Sequence, residues 1–385
     1  MTDTVIIDAL RSPIGRAFKG SLVDVRPDDL AATVVKALLD RNPALPPEQV
    51  DDVICGVSVA VGEQAYNLGR IVGQLAGLPS TVPGTTVNRF CASSLQALRM
   101  AHHAIQADEG DVFVVVGVES VTRRGRAFEP EDLNPRMIDQ GRPDFVNQMY
   151  MPMLETAERV ATIHGITRDE MDEIAVRSHT RALAAGDDGT FARETLPIET
   201  RTGTMDHDDG PRPGTSMETL AALKPILDDG LVTAGNACPI NDGAAAAIVM
   251  SSDRAAELGL TPRARVLGSN VTGLEPELMG LGPIEATRGL LSRTGTSVRD
   301  LDVVELNEAF AAQVIPVCRE LGVDIEAQLN PFGGAIALGH PFGMTGVRMV
   351  TTLLNALQSR DGELGLVTQC IGGGQGMSML FERVA

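Results

Sequence analysis

The sequence predicts an α/β fold with a duplicated core, and three observations carry that expectation. Short apolar runs alternate with amphipathic segments along the 385 residues. The two ends of the chain echo each other. "VDDVICG" (Val50 to Gly56) matches "LDVVELN" (Leu301 to Asn307), "VNRFCA" (Val87 to Ala92) matches "LNPFGG" (Leu329 to Gly334), and "DVFVVVGVES" matches "ELGLVTQCIG". Between the echoes lies a segment of different character, about Val121 to Asn241, rich in Pro, Asp and Arg. Coincidence between common β patterns is the alternative, but the order of the echoes is kept as well as their pattern, which favours duplication.

Taken in chain order, "DTVIIDAL", "DDVICGV" and "DVFVVVGV" read as buried strands. "DLAATVVKALLDR" and "SLQALRMAHHAIQA" read as helices, with Leu95, Leu98, His102 and Ile105 on one face of the second. The middle segment opens with "TRRGRAFEPEDLNPRMIDQGRPD" and reads as a long surface excursion, of a length usually tied to function or subunit contact. After it, "LGLVTQC" and "MSMLF" read as two more strands.

Composition excludes several functions. A net charge of -19 with 3% aromatic residues and no Trp argues against nucleic acid and anionic membrane surfaces. The longest apolar runs fall short of a membrane span. "MTDTVIIDAL" is not expected to be a secretory signal, nor "FERVA" a peroxisomal address. Five scattered cysteines without a C-x-x-C pair suit a reducing cytoplasm, and no cluster suggests a metal.

Four residues stand out chemically. Cys91 in "VNRFCASSLQAL" falls in the expected first turn of a helix that Asn88 is placed to cap. Helix-end N–H groups favour a thiolate there, whereas a lone cysteine is otherwise a small buried hydrophobe. His340 sits in "GGAIALGHPFGMTG", where glycines let backbone approach a ligand closely and adopt positive φ. It is either a base able to activate a thiol or a satisfied loop histidine. Cys370 ends a strand and enters "IGGGQG", whose spacing does not fit a dinucleotide fingerprint and instead suggests a tight loop exposing N–H groups beside a thiol. Asn307 in "ELNEAFAAQ" orients a water or caps the next helix. All four fall at strand ends or helix starts, where α/β sheets hold ligands.

With these residues in place, the chain resembles the thiolase family from end to end. "NRFCASS" resembles its nucleophile motif, "NEAF" its water-binding motif, "GGAIALGHPFGMTG" its histidine motif and "CIGGGQG" its second-cysteine motif. "TAGNACPINDGAAA" resembles the return from its loop domain. The resemblance implies a thiolase-like fold of duplicated α/β core domains, mixed sheets layered with helices, and an inserted loop domain. The boundaries would be 1–120 with 242–263, then 121–241, then 264–385. It implies a 3-ketoacyl-CoA thiolase of the fatty-acid β-oxidation type, with coenzyme A as co-substrate and no permanently bound cofactor or metal. His340 would deprotonate Cys91, and Cys370 would protonate the departing enolate. One oxyanion site would use His340 and a water on Asn307, the other the N–H groups of Cys91 and Gly372.

The resemblance also assigns Arg212 to the CoA phosphates. Thr219, Leu223 and Ala234 would line the nucleotide and pantetheine, with Cys238, in place of a usual serine, beside the pantetheine. Met153 in "MPMLETAE" would belong to the loop over the acyl pocket, where Pro152-Met153-Leu154 replaces the "HMG" of acetoacetyl-specific members. This favours longer chains, although Leu154 and Glu155 are unexpected. A homodimer or homotetramer is implied, with the Arg123 to Asp144 loop as a candidate contact. The alternatives are an acetyl-CoA acetyltransferase, a ketoacyl synthase of the same fold, a non-catalytic CoA- or lipid-binding protein, and a structural subunit of a fatty-acid oxidation complex.

Overall fold

A computed structural model describes residues 2–125 and 129–384. Its strands are β1 (Thr4–Arg11), β2 (Gly15–Arg16), β3 (Asp52–Gly56), β4 (Gly84–Val87), β5 (Val112–Ser120), β6 (Ile198–Thr200), β7 (Gly203–Met205), β8 (Asn241–Ser251), β9 (Ala264–Gly273), β10 (Val303–Leu306), β11 (Leu364–Ile371) and β12 (Gln375–Arg383). β5 and β8 are buried along their whole length. That is why "VFVVVGVES" and "NDGAAAAIVMS" run nearly continuously apolar instead of alternating.

Ten strands form one sheet in the order β10-β11-β12-β9-β1-β8-β5-β3-β4, with β2 also on β8. The order repeats itself. β3 lies parallel to β4 and β5, β5 is antiparallel to β8, and β8 to β1. In the other half β10 lies parallel to β11 and makes a parallel bridge to Leu329, β11 is antiparallel to β12, and β12 to β9. The three echoes of the sequence therefore occupy equivalent positions. A short antiparallel pairing of β1 with β9, Val5 with Arg265 and Ile6 with Ala264, joins the halves.

Helices separate the two halves and cover their outer faces. Pro27–Arg41 packs on β8 and β5, and Gly282–Thr294 on β9, β12 and β11. Between the halves, Ser93–Gln106 packs against Thr345–Ser359, and both reach strands of the sheet. Thr345–Ser359 is buried from Thr345 through Leu357. Of its polar groups, Asn355 Nδ2 donates to Glu194 at 2.9 Å and Arg348 Nη1 faces Glu305 at 3.5 Å, while Arg348 Nε and Nη2 have no hydrogen-bond partner among the described residues. On Ser93–Gln106, Leu95, Leu98 and Ile105 are buried as expected. His102 is only partly buried and meets the Thr4 hydroxyl at 2.9 Å.

The middle segment leaves at Ser120 and returns at Asn241, with Ser120 opposite Asp242 across the β5–β8 ladder. It is not only a surface excursion. Its helix Arg168–Asp187 packs Met171, Ile174 and Ala175 into one apolar cluster with Val304 and Leu306 of β10. Residues 129–152 fit the surface description and carry half-exposed Ile138, Val146 and Tyr150. Residues 126–128, part of the loop singled out for subunit contact, lie outside the described residues. Among the described residues no helix is long and apolar enough to cross a membrane. None of their His, Cys, Asp and Glu side chains form a group of three or more able to hold a metal ion.

Candidate active site

Cys91 sits in a 3-10 turn, Phe90–Ala92, just ahead of the helix Ser93–Gln106. Asn88 does not cap that helix: its Oδ1 accepts the Phe90 N–H at 2.8 Å while its Nδ2 donates to Ser58 O at 2.7 Å. Phe90 holds φ +44°, a left-handed value uncommon for a bulky residue, and this bends the chain so that Cys91 follows β4 closely. Of the two readings of Cys91, burial favours the neutral thiol over the thiolate. Burial pushes the Cys91 thiol up to about 11, opposed by the N–H groups of Gly372 and of Cys91 itself, while the Glu119 charge adds to the rise. The neutral thiol therefore needs a base. The N–H groups of Gly372 and Cys91 favour negative charge on this sulfur.

His340 is 1% exposed. Its Nδ1 lies 2.7 Å from Thr345 Oγ1, and that hydroxyl donates its only hydrogen to Pro341 O at 2.8 Å. The hydroxyl can then only accept, so Nδ1 carries the imidazole proton and Nε2 keeps its lone pair. Nε2 faces Asn307 Nδ2 at 3.3 Å. Burial, helped by the Arg348 charge, drives the imidazole down to about 3, so it is neutral at physiological pH.

The glycines around His340 meet protein rather than open space. A Cβ on Gly339, at φ +112°, would lie 2.6 Å from the Asn241 carboxamide, whose Oδ1 accepts the His340 N–H at 3.0 Å. Gly346 packs against the Leu95 backbone of the neighbouring helix. The loop is rich in glycine because it is wedged into the core, and this holds the imidazole still. Glu119 ties this loop to the nucleophile turn: its carboxylate accepts N–H groups from Gly343 at 3.0 Å and from Ser58 at 2.9 Å.

Asn307 follows β10 but does not cap the next helix, whose N-cap is Phe310. Its buried Oδ1 has no partner among the described residues, as suits a group that holds a water. Cys370, fully buried near the end of β11, directs its Sγ to Gln313 Oε1 at 3.6 Å. Burial raises this thiol well above its ordinary value, and the charges of Cys91 and Cys238 act in the same direction. Three thiols thus share one electrostatic neighbourhood. A thiol, a neutral imidazole whose unprotonated Nε2 accepts from Asn307 Nδ2, an amide with an open acceptor and a second proton-bearing thiol together suit covalent acyl transfer with proton transfer at carbon.

The chain matches the family described as "Thiolase, N-terminal domain" over residues 4–253 and "Thiolase, C-terminal domain" over residues 260–383. The chain belongs to the thiolase family. It is 44% identical to a 3-ketoacyl-CoA thiolase of Aeromonas hydrophila, with 100% of both chains covered. It is 46% identical, again over 100% of both, to the 3-oxoadipyl-CoA/3-oxo-5,6-dehydrosuberyl-CoA thiolase of Escherichia coli. Among solved structures it resembles human mitochondrial 3-ketoacyl-CoA thiolase, with a TM-score of 0.91 at 38% identity, covering 100% of this chain and 99% of that one.

Around this candidate site the other expected residues are spread outward. Met153 opens the helix Met153–His164, and its sulfur would lie 3.8 Å from a Cβ on Gly372. Leu154 packs toward the apolar cluster of the helix Arg168–Asp187 instead, and Glu155 is exposed in the first helical turn, where a carboxylate suits the helix dipole. Cys238 donates its N–H to Ala309 O at 3.0 Å, which joins the return segment to "NEAF". Ala234 and Leu223 are exposed, and Leu223 lies against Gly235. Thr219 is exposed and completes a capping box with Ser216. Arg212 is exposed and makes no ion pair among the described residues, while its N–H donates to His179 Nδ1 at 3.2 Å. Sequence reasoning missed Thr345, Gln313, Glu119 and Asn241. Thr345 and Gln313 both lie within the stretches "GHPFGMTG" and "NEAFAAQ".

Proposed function

We propose that this chain is a degradative 3-ketoacyl-CoA thiolase working through an acyl-Cys91 intermediate. The observation that carries the proposal is the buried pairing of His340 with Thr345 at Nδ1 and with Asn307 at Nε2, with the Asn307 Oδ1 left unpartnered among the described residues. His340 Nε2 takes the Cys91 proton as sulfur attacks the 3-keto carbon. The C2–C3 bond breaks, and Cys370 gives its proton to C2 of the leaving acetyl-CoA enolate. The thiol of a second CoA returns a proton to Cys370 and attacks the acyl group. Cys91 leaves with the proton held on His340, releasing an acyl-CoA two carbons shorter.

The N–H groups of Cys91 and Gly372 would stabilise one oxyanion, and His340 with a water on Asn307 the other. CoA would run along Arg212, Thr219, Leu223 and Ala234 to Cys238 and Met153. A human relative, 37% identical, is described in complex with CoA, which supports CoA as the co-substrate. We take residues 121–241 as the loop domain between core domains 1–120 with 242–263 and 264–385. The half-exposed Ile138, Val146 and Tyr150 support homodimer or homotetramer contacts there. A cytoplasmic location and a place in β-oxidation follow from the same reading.

Thiolysis with free CoA tests the proposal, over 3-ketoacyl-CoA chains from acetoacetyl upward with 3-oxoadipyl-CoA included. We expect kcat/KM to rise with chain length and to fall by at least about a thousandfold in Cys91→Ser. Turnover confined to acetoacetyl-CoA would make it an acetyl-CoA acetyltransferase, and a preference for 3-oxoadipyl-CoA would align it with the Escherichia coli relative. Neither turnover nor a covalent adduct would leave a CoA-binding protein.

A further inference from the structure

Gln313 is the polar neighbour of the Cys370 sulfur, and the mechanism above gives it no task. It is 1% exposed and stands in the first turn of the helix Ala311–Leu321. Its Oε1 accepts the Cys370 S–H at 3.6 Å. Its Nε2 is buried with no partner among the described residues. An unpaired buried amide donor is costly, and such groups persist where a function uses them. The side chain is also confined: a Cβ on Gly280 would come within 2.8 Å of Gln313 Cβ. Around Cys370 the remaining wall is apolar or soft, formed by Met279 and Ala309 with Met153, Cys238 and Phe310 packed against them. The charges that bear on Cys370 are those of Cys91 and Cys238, and both oppose a thiolate.

We propose that Gln313 is a positioning residue for Cys370, holding the S–H as an acid in one state and donating from Nε2 to the sulfur in the other. The inference rests on the assignment of Cys370 as the acid and base at carbon. When the S–H bond breaks and the proton forms a C–H bond at C2 of the enolate, the negative charge passes to sulfur. In this apolar wall, a half-turn of the Gln313 amide brings the unpaired Nε2–H to that sulfur. The same amide then returns to accept S–H when the thiol is reprotonated. An amide suits both states because it carries a donor and an acceptor on one planar group.

The test separates carbon chemistry from acylation. Wild type, Cys370→Ala, Gln313→Met and Gln313→Glu are compared in two assays. The first is acetylation of Cys91 by acetyl-CoA, read as a mass adduct. The second is exchange of solvent deuterium into the acetyl-CoA methyl group, followed by mass spectrometry. Methionine keeps the length of the side chain without donor or acceptor, and glutamate keeps an oxygen in place but loses the amide N–H. For both Gln313 variants we expect Cys91 acetylation within about threefold of wild type and exchange slower by about a hundredfold, the cost of one donor to a developing charge. Exchange at the wild-type rate in both variants would overturn the inference. Equal losses of acetylation and exchange would also overturn it, since Gln313 would then be a merely structural residue. Normal exchange in Cys370→Ala would instead remove the assignment of Cys370 on which the inference rests.

Discussion

Thr345 decides which nitrogen of His340 carries the proton. Its hydroxyl is committed to Pro341 O, so it can only accept from Nδ1–H. Thr345→Val keeps the shape and removes the acceptor, and the wrong tautomer then leaves no lone pair on Nε2. We expect kcat for thiolysis to fall about a hundredfold with little change in KM, and Thr345→Ser to recover most of it. A valine variant with wild-type kcat would mean that the hydroxyl does not set the tautomer. The reactive side chains were legible in sequence because sulfur and imidazole announce their own chemistry. Thr345 and Gln313 were not, although both lay inside the motifs. A hydroxyl or an amide acquires a role only from its partner, and here the partner is set by the fold. The state of Cys91 stayed open for the same reason: helix-end N–H groups are visible in sequence, but the burial that outweighs them is not.

At the scale of elements, the histidine loop works by close packing. Gly346 is the second residue of the buried helix Thr345–Ser359 where it crosses Ser93–Gln106, and a Cβ there would collide with the Leu95 backbone. Gly346→Ala must push the two helices apart at the ends that carry Thr345 and the Cys91 turn. We expect a loss of about 2 kcal/mol in urea unfolding, together with reduced activity. Unchanged stability would show that the contact relaxes without strain. Strands β1, β3, β5, β11 and β12 and the helices Pro27–Arg41 and Ser93–Gln106 were legible because their apolar patterns match their burial, and the echoes were legible because the sheet order repeats. The helix Arg168–Asp187 was hidden within a polar segment. Its packing into the core is accompanied by polar pairs, Asp172 with Arg168 at 2.7 Å and Ser178 with Glu308 at 2.6 Å, which no count of apolar residues detects.

For the whole molecule, buried histidines link stability to pH. His340 is lowered to about 3 and His179 to about 4, in each case chiefly by burial. Both are depressed below the ordinary value near 6.5, so the folded protein resists taking their protons. Between about pH 6.5 and 4 the unfolded chain binds protons that the native one does not, and stability falls as pH falls. Each of these two histidines adds up to about 1.4 kcal/mol per pH unit across that window. Urea midpoints at pH 7 and 5 should show the drop, reduced in His179→Gln. A flat profile would mean that the histidines gain protons without unfolding.

The central claim is that Cys91 becomes acylated. The most direct measurement mixes the protein with a 3-ketoacyl-CoA in the absence of free CoA, denatures it, and reads the mass of the Cys91 peptide. The expected result is an acyl adduct of the shortened chain on Cys91, absent in Cys91→Ser and discharged when CoA is added. An unmodified Cys91 with substrate fully bound, or an adduct on Cys370 or Cys238 instead, would contradict it.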